Sequence, residues 1–145
     1  MTTQASQRPL RRVGIVGGGQ LARMMAEAAP AIGISITVLD PTPDAPASEF
    51  ASQIVAQYDD AAALKQLASV SDVVTLDIEA VSASSLAALE ATQVAVAPSS
   101  KLLGIIQDKL LQKQFLASAG LPAGEFLDID SAAALRRFRL PCVLK

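Results

Sequence analysis

The chain contains no histidine, no tryptophan and a single cysteine, Cys142. Without histidine, a Ser–His–Asp triad, an imidazole metal site and imidazole acid–base chemistry are all excluded. One cysteine excludes an intrachain disulfide and any zinc site built on cysteines. Aromatic residues make up only 3%, the net charge is −2, and no basic face is legible. Nucleic acid is therefore not an expected partner. No run is long and apolar enough to span a bilayer, and the first residues lack the apolar centre of a signal peptide. No membrane partner is expected, and the expected location is cytoplasmic. Residues 1–11, polar and basic, read as a disordered leader.

What is abundant is alanine and branched aliphatics: 51% of the 145 residues are hydrophobic. That balance suits a helix-rich α/β protein with one sizeable core, or one domain and the start of another. The chain is organised around Arg12-Val13-Gly14-Ile15-Val16-Gly17-Gly18-Gly19-Gln20-Leu21-Ala22-Arg23-Met24-Met25. An apolar strand runs into three glycines and then into an amphipathic helix. Leu21, Met24, Met25, Ala28 and Ile32 keep roughly helical spacing and fall on one face. Glycines at such a turn adopt positive φ and let a ligand approach the backbone, while the helix start offers unpaired N–H groups to an anion. Gly17-x-Gly19-x-x-Ala22 fits the dinucleotide fingerprint, with Asp40 near the expected acidic position. A tight strand-to-helix turn with no nucleotide fits the same residues.

Alternating elements follow. Pro30 predicts a kink or fraying and Gly33 a stop to the first helix. Residues 34–39 predict a second strand ending at Asp40, followed by a loop carrying Pro41, Pro43 and Pro46. A third strand is expected at Ile54-Val55-Ala56. Asp59-Asp60 caps a helix to about Ala68, with Leu64 and Leu67 facing inward. Residues 72–76 read as a buried fourth strand, Ser82 caps a helix carrying Leu86 and Leu89, and 94–96 make a fifth strand. This spacing predicts a doubly wound parallel sheet, in which ligands bind outside the carboxyl ends of strands. The glycine turn, Asp40 and the Asp77/Glu79 segment all fall at that edge.

From Ser99 the pattern changes to two helices, Ser99–Ile106 and Lys109–Ala119, the second stopped by Gly120. Phe126-Leu127 is expected to open a strand, Ser131 to cap a helix through Arg137, and Leu140–Lys145 to form another strand. Arg23 reads as an exposed structural residue and Cys142 as a buried one. The expected division is a leader at 1–11, a Rossmann-like domain at 12–98, and linker helices with the start of another domain at 99–145.

Gly17-Gly18-Gly19-Gln20-Leu21-Ala22-Arg23-Met24 resembles the opening of the ATP-dependent N5-carboxyaminoimidazole ribonucleotide synthetases. Supporting pieces run in register: Val38-Leu39-Asp40-Pro41 with Asp44-Ala45-Pro46-Ala47, Tyr58-Asp59-Asp60, and Asp72-Val73-Val74-Thr75 with Glu79. Pro98-Ser99, Gln107-Asp108-Lys109, Gly120-Leu121-Pro122 and Pro141-Cys142-Val143-Leu144-Lys145 complete the set. The resemblance covers nearly everything from Arg12 to Lys145. It implies an α/β Rossmann-like pre-ATP-grasp domain with a parallel sheet, followed by the start of an ATP-grasp domain. The family uses ATP and Mg²⁺ to activate bicarbonate, as carboxyphosphate, and carboxylates 5-aminoimidazole ribonucleotide; it binds no NAD in this domain.

By that resemblance Gly19, Gln20 and Leu21 line the substrate site, with helix-end amides near its anionic groups. Glu79 accepts hydrogen bonds from ribose hydroxyls or the amine. Lys109 and Lys145 reach ATP phosphates as flexible point charges. The Mg²⁺ ligands, the glycine-rich lid and the clamp on the substrate phosphate are expected beyond Lys145, so the chain alone is expected to be inactive. A homodimer is implied for the full-length enzyme. The family usually has a glutamate between aromatics where this chain has Leu76-Asp77-Ile78. Asp-Ile-Glu-Ala is closer to the ATP-grasp phosphoribosylglycinamide formyltransferase, although that enzyme usually has an acid in place of Gln20. An NAD-dependent dehydrogenase and a non-catalytic Rossmann-like module are the readings from other classes.

Overall fold

The computed structural model describes residues 11–144. Five strands form one parallel sheet in the order β3-β2-β1-β4-β5. These are β1 (Arg12–Val16), β2 (Ser35–Asp40), β3 (Ser52–Val55), β4 (Val73–Leu76) and β5 (Ala95–Val96). Helices α1 (Gln20–Ala28), α2 (Ala61–Ser69) and α3 (Ala83–Glu90) make the crossovers. The order reverses at β1, so the topological switch point lies between β1 and β4. The doubly wound sheet expected from the alternation is the one observed.

Ile15, Val16, Val38, Leu39 and Val74 are fully enclosed, as are Leu67 and Leu86 from the helices. Strands buried on both faces read as continuous aliphatic runs, which is why these were legible. Asp60 caps α2 through the amides of Ala62 and Ala63, and Ser82 caps α3 through Ser85. Asp59 does not share the capping of α2; its carboxylate accepts from the Ser82 amide at 2.7 Å. Past α1 a 3₁₀ turn, Ala29–Ile32, carries Pro30 and ends at Gly33, whose φ of 73° is left-handed. A second 3₁₀ turn, Pro46–Glu49, occupies the end of the proline-rich loop.

Helix α1 does not turn its large apolar residues toward the sheet. Its buried residues are Ala22 and Ala26, while Leu21 and Met24 are more than 60% exposed. The apolar stripe exists, but small alanines face the sheet because the helix packs close to it, with Ala22 clustering with Ile15, Val38 and Ala47. Arg23 is half-buried, and it bonds Glu49 at 2.9 Å and lies 5.1 Å from the centre of the Phe50 ring. Arg11, placed in the leader by its sequence, donates its amide to Asp72 at 3.0 Å. The rest of that leader, residues 1–10, lies outside the described residues.

The chain divides between Lys101 and Leu102, within α4 (Ser100–Gln107), into two compact units. The second contains α5 (Lys109–Ser118), capped by Asp108, and a one-turn α6 (Ala132–Leu135) capped by Ser131. The helix expected to run to Arg137 is thus shorter. Neither Phe126-Leu127 nor residues 140–144 form a strand. A strand exists only when its N–H and C=O groups find a ladder, and no pairing reaches these segments among the described residues. Cys142 is half-buried, not enclosed.

Candidate functional site

The carboxyl edge of the sheet gathers around the connection from β1 to α1. Gly17 donates its amide to Leu39 O at 2.8 Å, Gly18 to Asp40 Oδ2 at 2.8 Å, and Gly19 to Asp77 Oδ2 at 2.9 Å. Asp40 ends β2 and Asp77 follows β4, the two neighbours of β1. Each flanking strand therefore sends a carboxylate to the turn. A Cβ at Gly18 would stand 3.1 Å from Asp40 Cβ, and one at Gly19 would stand 2.8 Å from Asp77 Oδ2. At Gly17, where φ is +104°, it would meet Asp77 Cβ at 2.9 Å. These glycines make room for the chain's own acids.

Asp40 is only 6% exposed. Besides Gly18 it accepts the Thr42 amide on Oδ1 at 2.8 Å and the Tyr58 hydroxyl on Oδ2 at 3.1 Å. The Asp40–Thr42 contact is the local side-chain-to-backbone turn that aspartate favours. Burial pushes the carboxyl up, but the bonds from Thr42, Gly18 and Tyr58 outweigh it and hold it below the ordinary aspartate value. Burial and the bond to Asp40, with the charges of Asp40 and Asp77, push the Tyr58 phenol upward. The proline-rich loop folds back over this edge: Ala47 donates its amide to Gly18 O at 2.9 Å, and Gln53 Nε2 donates to Thr42 O at 2.8 Å.

This geometry removes the dinucleotide reading's two supports. The acid that would take a ribose is committed to the turn, and carboxylates already occupy the Gly18 and Gly19 amides where a pyrophosphate would sit. The unpaired helix-start donors expected from sequence are thus fewer: Gly19 is bonded, and Gln20, Leu21 and Ala22 have no side-chain cap among the described residues. Of the residues singled out from sequence, Gly19, Gln20 and Leu21 stand together at this turn, with Gln20 and Leu21 exposed. Glu79 is exposed in the turn two residues after Asp77. Lys109 lies in the second unit, where its Nζ donates to Ile106 O at 3.0 Å. Lys145 lies outside the described residues. Sequence reasoning brought the Asp77/Glu79 segment to this edge but gave Asp77 no role there, and it did not place Tyr58 in the site. Among the described residues no group of three acidic, cysteine or histidine side chains could hold a metal ion.

The fold and this turn define a Rossmann-like α/β domain whose glycine loop is braced by its own carboxylates rather than opened to a dinucleotide. Residues 10–107 match the family model for the ribonucleotide synthetase preATP-grasp domain, and the chain belongs to that family. It is 38% identical over 138 residues to the N5-carboxyaminoimidazole ribonucleotide synthase of Pseudomonas aeruginosa, covering 92% of this chain and 38% of that one. The crystal structure of the corresponding synthetase from Thermotoga maritima superposes with a TM-score of 0.81 at 39% identity, covering 90% of this chain and 37% of that one. The Aspergillus clavatus enzyme, solved in complex with ADP and 5-aminoimidazole ribonucleotide, superposes with a TM-score of 0.75 at 35% identity, covering 88% and 35%. The chain thus spans little more than a third of the relatives it matches.

Proposed function

We propose that this chain is the substrate-holding amino-terminal part of an ATP-dependent ligase of purine biosynthesis. The ligase carboxylates 5-aminoimidazole ribonucleotide with bicarbonate: ATP activates bicarbonate as carboxyphosphate, and the amine of the ribonucleotide takes up the carboxyl group. The observation that carries this is the family membership over residues 10–107, together with relatives of that one activity along 92% of the chain. Residues 12–98 serve as the pre-ATP-grasp domain, and 99–145 as linker helices and the opening of the ATP-grasp domain. The whole enzyme works in the cytoplasm as a homodimer and uses Mg²⁺ held by residues outside this chain.

Within the site, Gly19, Gln20 and Leu21 line the ribonucleotide pocket. The braced turn supports this, because rigid backbone donors and the positive end of the α1 dipole cost little to organise when substrate arrives. Glu79 accepts from ribose hydroxyls or the amine, a task suited to an exposed ionised carboxylate. Lys109 and Lys145 reach the ATP phosphates; the stem of Lys109 rotates freely enough to exchange its bond to Ile106 O for a phosphate.

The test uses a full-length enzyme that carries this amino-terminal sequence. Glu79→Ala weakens ribonucleotide binding by about 1–3 kcal/mol, the value of a charge-assisted hydrogen bond, and leaves ATP binding nearly intact. Lys145→Ala has the opposite preference. Titrations in which both variants affect the two ligands equally would refute these assignments.

A further inference from the structure

We infer that Asp40 is a positioning residue for the ribonucleotide site and that the Tyr58 hydroxyl sets its orientation; the inference rests on the substrate reading above. Both carboxylate oxygens of Asp40 are engaged within the fold, Oδ1 by the Thr42 amide and Oδ2 by Gly18 and Tyr58. At 6% exposure the side chain is in no position to meet a ligand, so any influence on the substrate passes through the backbone it holds. That backbone is Gly18, whose amide goes to Asp40 and whose carbonyl takes the Ala47 amide at 2.9 Å. Gly18 is therefore fixed through both polar groups, one residue ahead of Gly19 and two ahead of Gln20. The direction of the first turn of α1 follows from it.

Tyr58 joins a distant segment to this arrangement. It lies between β3 and α2, yet its hydroxyl reaches the carboxylate that ends β2. Removing that one donor leaves Asp40 the backbone amides of Gly18 and Thr42, and takes away the side-chain donor that shares Oδ2 with Gly18. Buried carboxylates are worth most when every lone pair is directed, and partial satisfaction loosens what they hold.

The experiment compares a full-length enzyme carrying this amino-terminal sequence with its Tyr58→Phe and Asp40→Asn variants by amide exchange at Gly18 and titration with 5-aminoimidazole ribonucleotide. Both variants are expected to speed Gly18 exchange and weaken the ribonucleotide by roughly five- to tenfold, the worth of one buried hydrogen bond. Ile15 in β1 keeps its wild-type protection. Wild-type Gly18 exchange and wild-type affinity in the variants would overturn the role of Asp40 alone. A wild type that ignores the ribonucleotide overturns the substrate reading and this role with it. Tyr58→Phe removes a single hydroxyl, so it keeps the comparison decisive even where Asp40→Asn fails to fold.

Discussion

Asp77 Oδ2 accepts the Gly19 amide at 2.9 Å, so the residue after β4 caps the start of α1 across the switch point of the sheet. Asp77 in turn donates its own amide to Val16 O at 2.8 Å, which fixes the carboxylate's approach. A methyl group at Gly19 would lie 2.8 Å from that oxygen. Gly19→Ala should therefore displace Asp77 and cost about 1–3 kcal/mol through the lost bond. Gly33→Ala has open space around it and bears only the strain of a φ of +73°, so its cost is smaller, about 1 kcal/mol. Urea unfolding of the two variants checks the order; a larger loss at Gly33 would contradict it.

The turn should not bind NAD(H). A pyrophosphate at the Gly18 and Gly19 amides would have to displace two carboxylates or sit against their charge, and Asp40 cannot serve a ribose without releasing Gly18. Titration of the chain with NADH, followed by fluorescence or heat, is expected to show no saturable site. Stoichiometric binding in the micromolar range would bring a dehydrogenase back as the reading of this turn.

Acid should destabilise the protein through Asp72. The Arg12 guanidinium, bonded at 2.6 and 3.1 Å, and the amides of Arg11 and Arg12 hold its carboxyl far below the ordinary aspartate value of 3.8. The folded value is depressed, so the unfolded chain takes up the proton first as pH falls. The contribution is complete above 3.8 and is lost as pH drops from there toward the folded value. Asp40, also depressed, adds to the same window. Asp72→Asn should lower stability at neutral pH and flatten its decline between about pH 5 and pH 2. Equal acid slopes for variant and wild type would remove Asp72 from this account.

Most of the first unit was legible because strand and helix periods differ and the caps are chemically specific. Asp60 and Ser82 cap the helices expected of them, and Gly33 adopts the left-handed conformation that stops a helix. The errors have physical causes. β3 is Ser52–Val55 rather than residues 54–56, because an edge strand takes its register from the neighbour it pairs with, Asp40 opposite Val55. The helix face of Leu21 and Met24 was identified correctly as a stripe, yet periodicity cannot say which way a stripe points when alanines form a second one.

The sequence alone determined the alternation of elements, the parallel sheet and the glycine turn at its carboxyl edge, since these follow from local spacing, propensity and capping. It also carried the family, through short motifs kept in register from Arg12 onward. Only the tertiary structure decided what the glycines are for. Gly18 meets Asp40 across 22 positions of chain and Gly19 meets Asp77 across 58. Those pairings arise because β1 lies between β2 and β4, a neighbour relation that no local pattern encodes.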